Sequence, residues 1–283
     1  MIILNIQLVV ADIDGTFLDS EGKPSQGALE AIQAIRNRGI GFTLCSGRGN
    51  PGMKPFIDLL NLKLPYIISG GAAIIDPFDQ SVIRQEKMSE SQIFQTVQLG
   101  LQSGSDILFH DAWNLYILSS DEFWEDFHSW EWMKGYGLQD FRRIQSWREA
   151  PIQQIIRMDY FNQPEMLPQL AEKVEKLNEN LNAIVMRRNI EIADCRVDKG
   201  VALSQLADFL HIPLENVMSL GDGLNDISML ETAGVGVAMK NSSPEVISRT
   251  DYLAPGCDEG GLAYALNHLI AGTLSDLKLA IIE

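Results

Sequence analysis

The sequence predicts an α/β fold in which a parallel sheet is interrupted by an inserted α+β domain, and three observations carry that prediction. From residue 7 an apolar strand run alternates with an amphipathic helix and a second strand. The same alternation returns near the C-terminus. Between them, residues 86–191 mix strand and helix signals and hold all five tryptophans, from Trp113 to Trp147. A parallel strand pair requires a crossover, which is usually helical, so strand–helix–strand spacing implies a parallel sheet.

The first strand is "QLVVADI", followed by the helix "SQGALEAIQAIRNRG", with Leu29, Ile32 and Ile35 on one face and Gly39 as its stop. "IGFTLCS" is the second strand. The C-terminal part reads as helix "KGVALSQLADFL", strand "NVMSLGD", helix "LNDISMLETAG", strands "VGVAM" and "DYLA", and helix "GGLAYALNHLI". These segments assign residues 1–85 and 192–283 to one core domain and 86–191 to the insertion, joined by short hinges.

Composition excludes several classes of function. The 283 residues are 46% apolar and 21% charged, as in ordinary globular proteins, and neither disorder nor a fibrous repeat fits them. Thirty-eight acids against 22 Lys and Arg give a net charge of −16, which disfavours nucleic acid and anionic membranes as partners. Cys45, Cys195 and Cys257 lack metal or disulfide spacing, and "MIILNIQLVV" has no basic n-region, so a cytoplasmic, membrane-free protein is expected.

The first strand ends in Asp12 and Asp14. Residues i and i+2 of a strand point the same way, so the two carboxylates project together at the strand's carboxyl end, where open α/β sheets bind ligands. Two such acids repel unless a cation lies beside them. Gly15 and Thr16 suit a tight turn whose backbone N–H groups can cradle an anion. A simple Asp-Gly turn would explain the pair equally well, but Ser46 ends another strand, and Asp222 and Asp226 follow a third. Four acids and a hydroxyl thus converge on one rim.

The ordered segments DIDGT, CSGR, DKG and GDGLND resemble the four motifs of the haloacid dehalogenase (HAD) superfamily of phosphotransferases. "VDKGVALSQLADFLHIPLENVMSLGDGLNDISMLETAGVGVAM" is similar to its Cof-like branch, which implies a Rossmann-like core and a type IIB (C2B) cap between the second and third motifs. The resemblance implies that Asp12 is the nucleophile forming an aspartyl-phosphate and that Asp14 is the general acid and base. It implies Mg²⁺ held by Asp12, the Asp14 carbonyl and Asp222, with Asp226 steadying the metal shell. Ser46, the Gly47 N–H, Lys199 and Asn225 would contact the phosphoryl group, while Arg48 is either a substrate contact or a surface residue.

Two departures stand out: Gly70 in "YIISGGAAI", where relatives show Asn-Gly-Ala, and Lys240 in "VAMKNSS", where they show Gly. "CDEGGLAYAL" also replaces the family's Asp-Gly-Val, leaving Asp258 and Glu259 without an assigned role.

In the inserted domain, Trp113, Trp124, Trp130, Trp132 and Trp147 are expected to build core in preference to stacking on a sugar or heteroaromatic ring. Arg157, Arg187 and Arg188 are either contacts for a substrate's second anionic group or, as is more common, solvated strand arginines. His110, His128, His211 and His268 share no ligand spacing. The resemblance implies an Mg²⁺-dependent phosphatase acting on a small phosphorylated metabolite, a phosphosugar or a phosphorylated cofactor. The alternatives are a phosphosugar mutase with the same intermediate and a catalytically silent metabolite-binding regulator. A dehalogenase would leave Asp14 and the metal acids without a purpose.

Overall fold

The computed structural model describes residues 5–127 and 136–277. In chain order its first elements are β1 (Leu8–Ala11), α1 (Ala28–Arg36), β2 (Gly41–Leu44), α2 (Asn50–Leu60), β3 (Tyr66–Ile68) and β4 (Ala73–Ile75). Next come β5 (Val82–Gln85), α3 (Glu90–Gln102), β6 (Asp106–His110), β7 (Leu115–Leu118), α4 (Asp121–Phe127), β8 (Phe141–Arg143), β9 (Arg157–Phe161), α5 (Leu167–Leu177), β10 (Leu181–Val185) and β11 (Asn189–Asp194). The chain closes with α6 (Lys199–Phe209), β12 (Val217–Gly221), α7 (Ile227–Thr232), β13 (Val235–Met239), α8 (Pro244–Ser248), β14 (Tyr252–Ala254) and α9 (Gly261–Ala271).

These elements form two compact units. One contains the chain up to Ser46, Ile57–Ser81, and everything from Asp198 onward; the other contains Gly47–Phe56 and Val82–Val197. The first is built on a five-stranded sheet in the order β14-β13-β12-β1-β2, and every neighbouring pair is parallel. Strand β1, LVVA, is paired on both sides and wholly buried, as expected of a parallel strand covered on both faces. The chain adds β2 on one side of β1 and returns to place β12 on the other, so strand order reverses between β1 and β12. That reversal is where open α/β sheets form their ligand crevice.

Helix α1 buries Ala28, Ala31, Ile32 and Ile35. Leu29, expected on that face, is 38% exposed, because the buried stripe begins one residue earlier, at Ala28.

The second unit carries a six-stranded sheet in the order β10-β11-β9-β6-β7-β8, antiparallel except for β7 with β8. Alternation along its strands sends Ile107, Phe109, Met158, Tyr160, Ile190 and Ile192 into a core shared with α3 and α5. The opposite face holds a buried polar group. Arg157 donates through Nε and one terminal nitrogen to the two oxygens of Asp159, each at 2.9 Å, and His110 Nε2 lies 3.1 Å from Asp159 Oδ2. Arg157 is therefore not a solvated strand arginine: it is 4% exposed, because Asp159, two residues along the same strand, neutralises it. Arg187 and Arg188 are exposed.

Trp124 and Trp147 pack against apolar clusters, whereas Trp113 is 37% exposed and is not core; its N–H caps Asp111 in a tight turn. Trp130, Trp132 and His128 lie outside the described residues. No helix among the described residues is long and apolar enough to cross a membrane.

Candidate active site

The site forms at the strand reversal. Ala11 is in register with Leu220, and the Asp12 N–H donates to the Leu220 carbonyl at 2.9 Å, so Asp12 and Asp222 leave adjacent strands at the same level. Gly15 makes their approach possible. Its φ is +82°, and a Cβ there would lie 2.3 Å from Asp222 Oδ2, so no other residue fits without displacing that carboxylate. The Thr16 hydroxyl donates to Asp222 Oδ1 at 3.2 Å. The Thr16 N–H points to the Ile13 carbonyl at 3.4 Å, so the turn itself engages one of the N–H groups expected to cradle an anion.

Lys199 begins α6, an unfavourable place for a cation next to the helix's unpaired N–H groups, and its side chain is 1% exposed. Two carboxylates hold it there: Nζ lies 2.7 Å from Asp12 Oδ1 and 2.5 Å from Asp226 Oδ1. Asp198 caps the helix by accepting the Gly200 and Val201 N–H groups, which fixes where Lys199 leaves the backbone. Gly200 lets α6 reach α7, since a Cβ would sit 2.5 Å from the Ser228 carbonyl. The second oxygen of Asp226 accepts the N–H groups of Asp222 and Gly223, at 3.0 and 2.8 Å. Asp226 therefore shapes the turn that carries Asp222 while its other oxygen pins Lys199.

Ligand oxygens of Asp12, Asp222 and Asp226 lie within 4.8 Å of one another. Lys199 is the only cation within hydrogen-bond reach of this trio among the described residues. Burial, then repulsion from Asp226, push Asp222 up to about 7, and the same two causes raise Asp12 well above the usual carboxylate range despite Lys199. Lys199 stays protonated, because the attraction of Asp12 and Asp226 outweighs its desolvation. An all-oxygen, charge-crowded donor set of this kind suits a hard divalent cation. The Asp14 side chain is exposed and is not part of the trio.

Ser46 is buried in the same unit, just past β2, with its N–H donating to the Ile67 carbonyl. Gly70, the residue without a side-chain amide, instead donates its N–H to the Ser46 carbonyl at 3.0 Å, so backbone holds this turn. Asn225 is partly exposed in the turn between Asp222 and Asp226. Gly47 and Arg48 belong to the other unit. There Arg157 donates to the Gly47 carbonyl at 2.6 Å, and Arg48 is 6% exposed with its guanidinium over the rings of Phe56 and Tyr136. The surface reading of Arg48 is thus wrong: aromatic stacking buries it.

Lys240 is exposed and 3.7 Å from Glu259, and Asp258 accepts the Ser20 N–H at 2.8 Å. The sequence reading passed over Asn241, which touches Asp222 directly. Its only sequence signal is an amide just after a strand of the same sheet.

A parallel sheet with carboxylates gathered at its strand reversal places a donor set suited to a divalent cation where such sheets bind ligands. The comparisons fix the family: residues 9–266 match the haloacid dehalogenase-like hydrolases, and the chain belongs to that family. YxeH of Bacillus subtilis is 28% identical over 270 residues, covering 93% of this chain and 98% of YxeH. The 5-amino-6-(5-phospho-D-ribitylamino)uracil phosphatase YwtE of Bacillus subtilis is 26% identical over 288 residues, covering 94% of this chain and 99% of YwtE. The solved structure of a haloacid dehalogenase-like hydrolase from Bacillus subtilis matches with a TM-score of 0.81 at 26% identity, over 93% of this chain and 100% of that one. Within the family the chain is a phosphoric monoester hydrolase.

Proposed function

We propose that this phosphatase is Mg²⁺-dependent, acts on small phosphate monoesters and works through an aspartyl-phosphate on Asp12. The observation that carries the reading is the buried Asp12 carboxylate, held at one oxygen by Lys199 and crowded by Asp222 and Asp226. In the first half-reaction the other Asp12 oxygen attacks phosphorus, the P–O bond to the leaving group breaks, and Asp14 gives its proton to the departing alkoxide. In the second, Asp14, now ionised, takes a proton from water as that water attacks the acyl-phosphate; phosphate leaves and Asp12 is regenerated. Ser46, Lys199 and Asn225 bind phosphoryl oxygens and stabilise the added charge.

The residues fit Mg²⁺: Asp12, Asp222 and the Asp14 main-chain carbonyl would hold it, with Asp226 ordering their turn. Bound there, it supplies the positive charge that lets an anionic nucleophile and an anionic phosphate approach one another.

The unit containing Val82–Val197 acts as a cap that selects the substrate. YwtE is named for a phosphorylated ribityl compound, which favours a phosphosugar, a phosphorylated polyol or a phosphorylated cofactor as the class to try first.

A phosphate-release assay across such a panel, with and without Mg²⁺, tests the reading. Metal-dependent release from one group of monoesters is expected. Isomerised product without phosphate release would replace hydrolysis by phosphoryl transfer within the substrate, and full turnover after exhaustive chelation would overturn the role of the cation.

A further inference from the structure

We infer that Asn241 is a positioning residue for the cation site, one that orients Asp222 without competing for its charge. The inference rests on reading the carboxylate trio as a Mg²⁺ site. Asn241 lies two residues beyond β13, and its side chain makes three contacts. The amide nitrogen donates to the Gly15 carbonyl and to Asp222 Oδ2, both at 3.0 Å, while the amide oxygen accepts the Cys257 N–H at 2.9 Å. The opposite amide orientation would set oxygen against two acceptors and nitrogen against a donor, so the partners themselves determine which end faces Asp222.

This side chain joins the loop after β1, the loop after β12 and the turn at Cys257. Thr16 holds Asp222 Oδ1 and Asn241 holds Asp222 Oδ2, so the plane of the carboxylate is fixed from both ends. Asn241 also fixes the carbonyl of Gly15, the residue whose missing Cβ makes room for Asp222 Oδ2. The choice of a neutral donor matters. A lysine or arginine here would orient the carboxylate and also cancel the negative charge a metal ion needs; an amide only orients it. The adjacent cation, Lys240, lies beside Glu259 instead.

Partners that orient a metal ligand typically account for 10- to 100-fold in metal affinity. Because Asn241 is exposed, shortening it opens no cavity in the core. The test is calorimetric titration of the full chain with Mg²⁺, without substrate, comparing wild type with Asn241→Ala, alongside the rise in melting temperature that Mg²⁺ produces in each. The expected result is binding weakened about 10- to 100-fold, with a smaller Mg²⁺-induced rise. A residue that merely staples loops would lower the melting temperature equally with and without the ion. If Asn241→Ala does not fold, Asn241→Ser decides by the same criterion. Wild type that binds Mg²⁺ beside a folded variant binding within about 2-fold of it would overturn this inference alone. Wild type that binds no Mg²⁺ would overturn the cation reading and this inference together.

Discussion

Lys199 Nζ lies 2.7 Å from Asp12 Oδ1, and both side chains are buried. The ammonium ties the proposed nucleophile to Asp226, so one residue holds together the loops after β1 and β12. Removing one member of a buried ion group leaves the others uncompensated, at a typical cost of about 3–5 kcal/mol. Lys199→Met should therefore lose activity and also stability of that order, read as a lower urea midpoint in metal-free protein. An unchanged midpoint would show that Asp12 and Asp226 do not depend on Lys199 in the folded state.

Asp14 is exposed and outside the carboxylate trio, which suits a group that exchanges protons with the leaving group and with water. Asp14→Asn should slow formation of the aspartyl-phosphate by about 10²–10⁴-fold for a sugar phosphate, whose alkoxide is strongly basic, and far less for nitrophenyl phosphate. Single-turnover kinetics separate this step from hydrolysis of the intermediate, which should slow for both esters. An equal first-step defect for both would make Asp14 a structural residue.

The Arg157–Asp159–His110 group predicts acid sensitivity. Burial raises Asp159, but Arg157 and His110 outweigh it and hold the carboxyl below its usual range; burial and then Arg157 lower His110. Both shifts mean that the unfolded chain binds protons more readily than the folded one, so stability falls with pH. For His110 the loss begins as pH drops through about 6.5, and for Asp159 it continues below about 4. Asp222 and Asp12, raised by burial, act in the opposite direction over the same range, so the test is comparative: from pH 7 to 5 the urea midpoint of His110→Gln should rise relative to that of wild type. A constant difference between the two would place the sensitivity elsewhere.

Much of this site is legible before any coordinates. Asp12, Ser46 and Asp222 follow strands whose parallel pairing brings their carboxyl ends to one rim, and DKG supplies Lys199 at a helix start. What escapes sequence reasoning depends on partners far along the chain. Asn241 reads as an ordinary turn residue until Gly15 and Asp222, 226 and 19 residues away, are seen beside it. Arg48 reads equally as a substrate contact or a surface cation, because nothing local announces Phe56 and Tyr136 as its stacking partners. Arg157 is different: Asp159 lies two residues on, on the same strand face, so its burial as a pair was readable from "RMD". Leu29 fails through helix phase alone, since Ala28 rather than Leu29 leads the buried stripe.

The central claim is that Asp12 becomes covalently phosphorylated during turnover. Its most direct test is acid quenching of the Mg²⁺-loaded enzyme within one turnover of a ³²P-labelled monoester substrate, followed by peptide mapping of the label. The account predicts acid-stable, alkali-labile label on the peptide containing Asp12, with none in Asp12→Asn. Quenches spanning the turnover that show phosphate release without label on the chain, or label on any other residue, would contradict it.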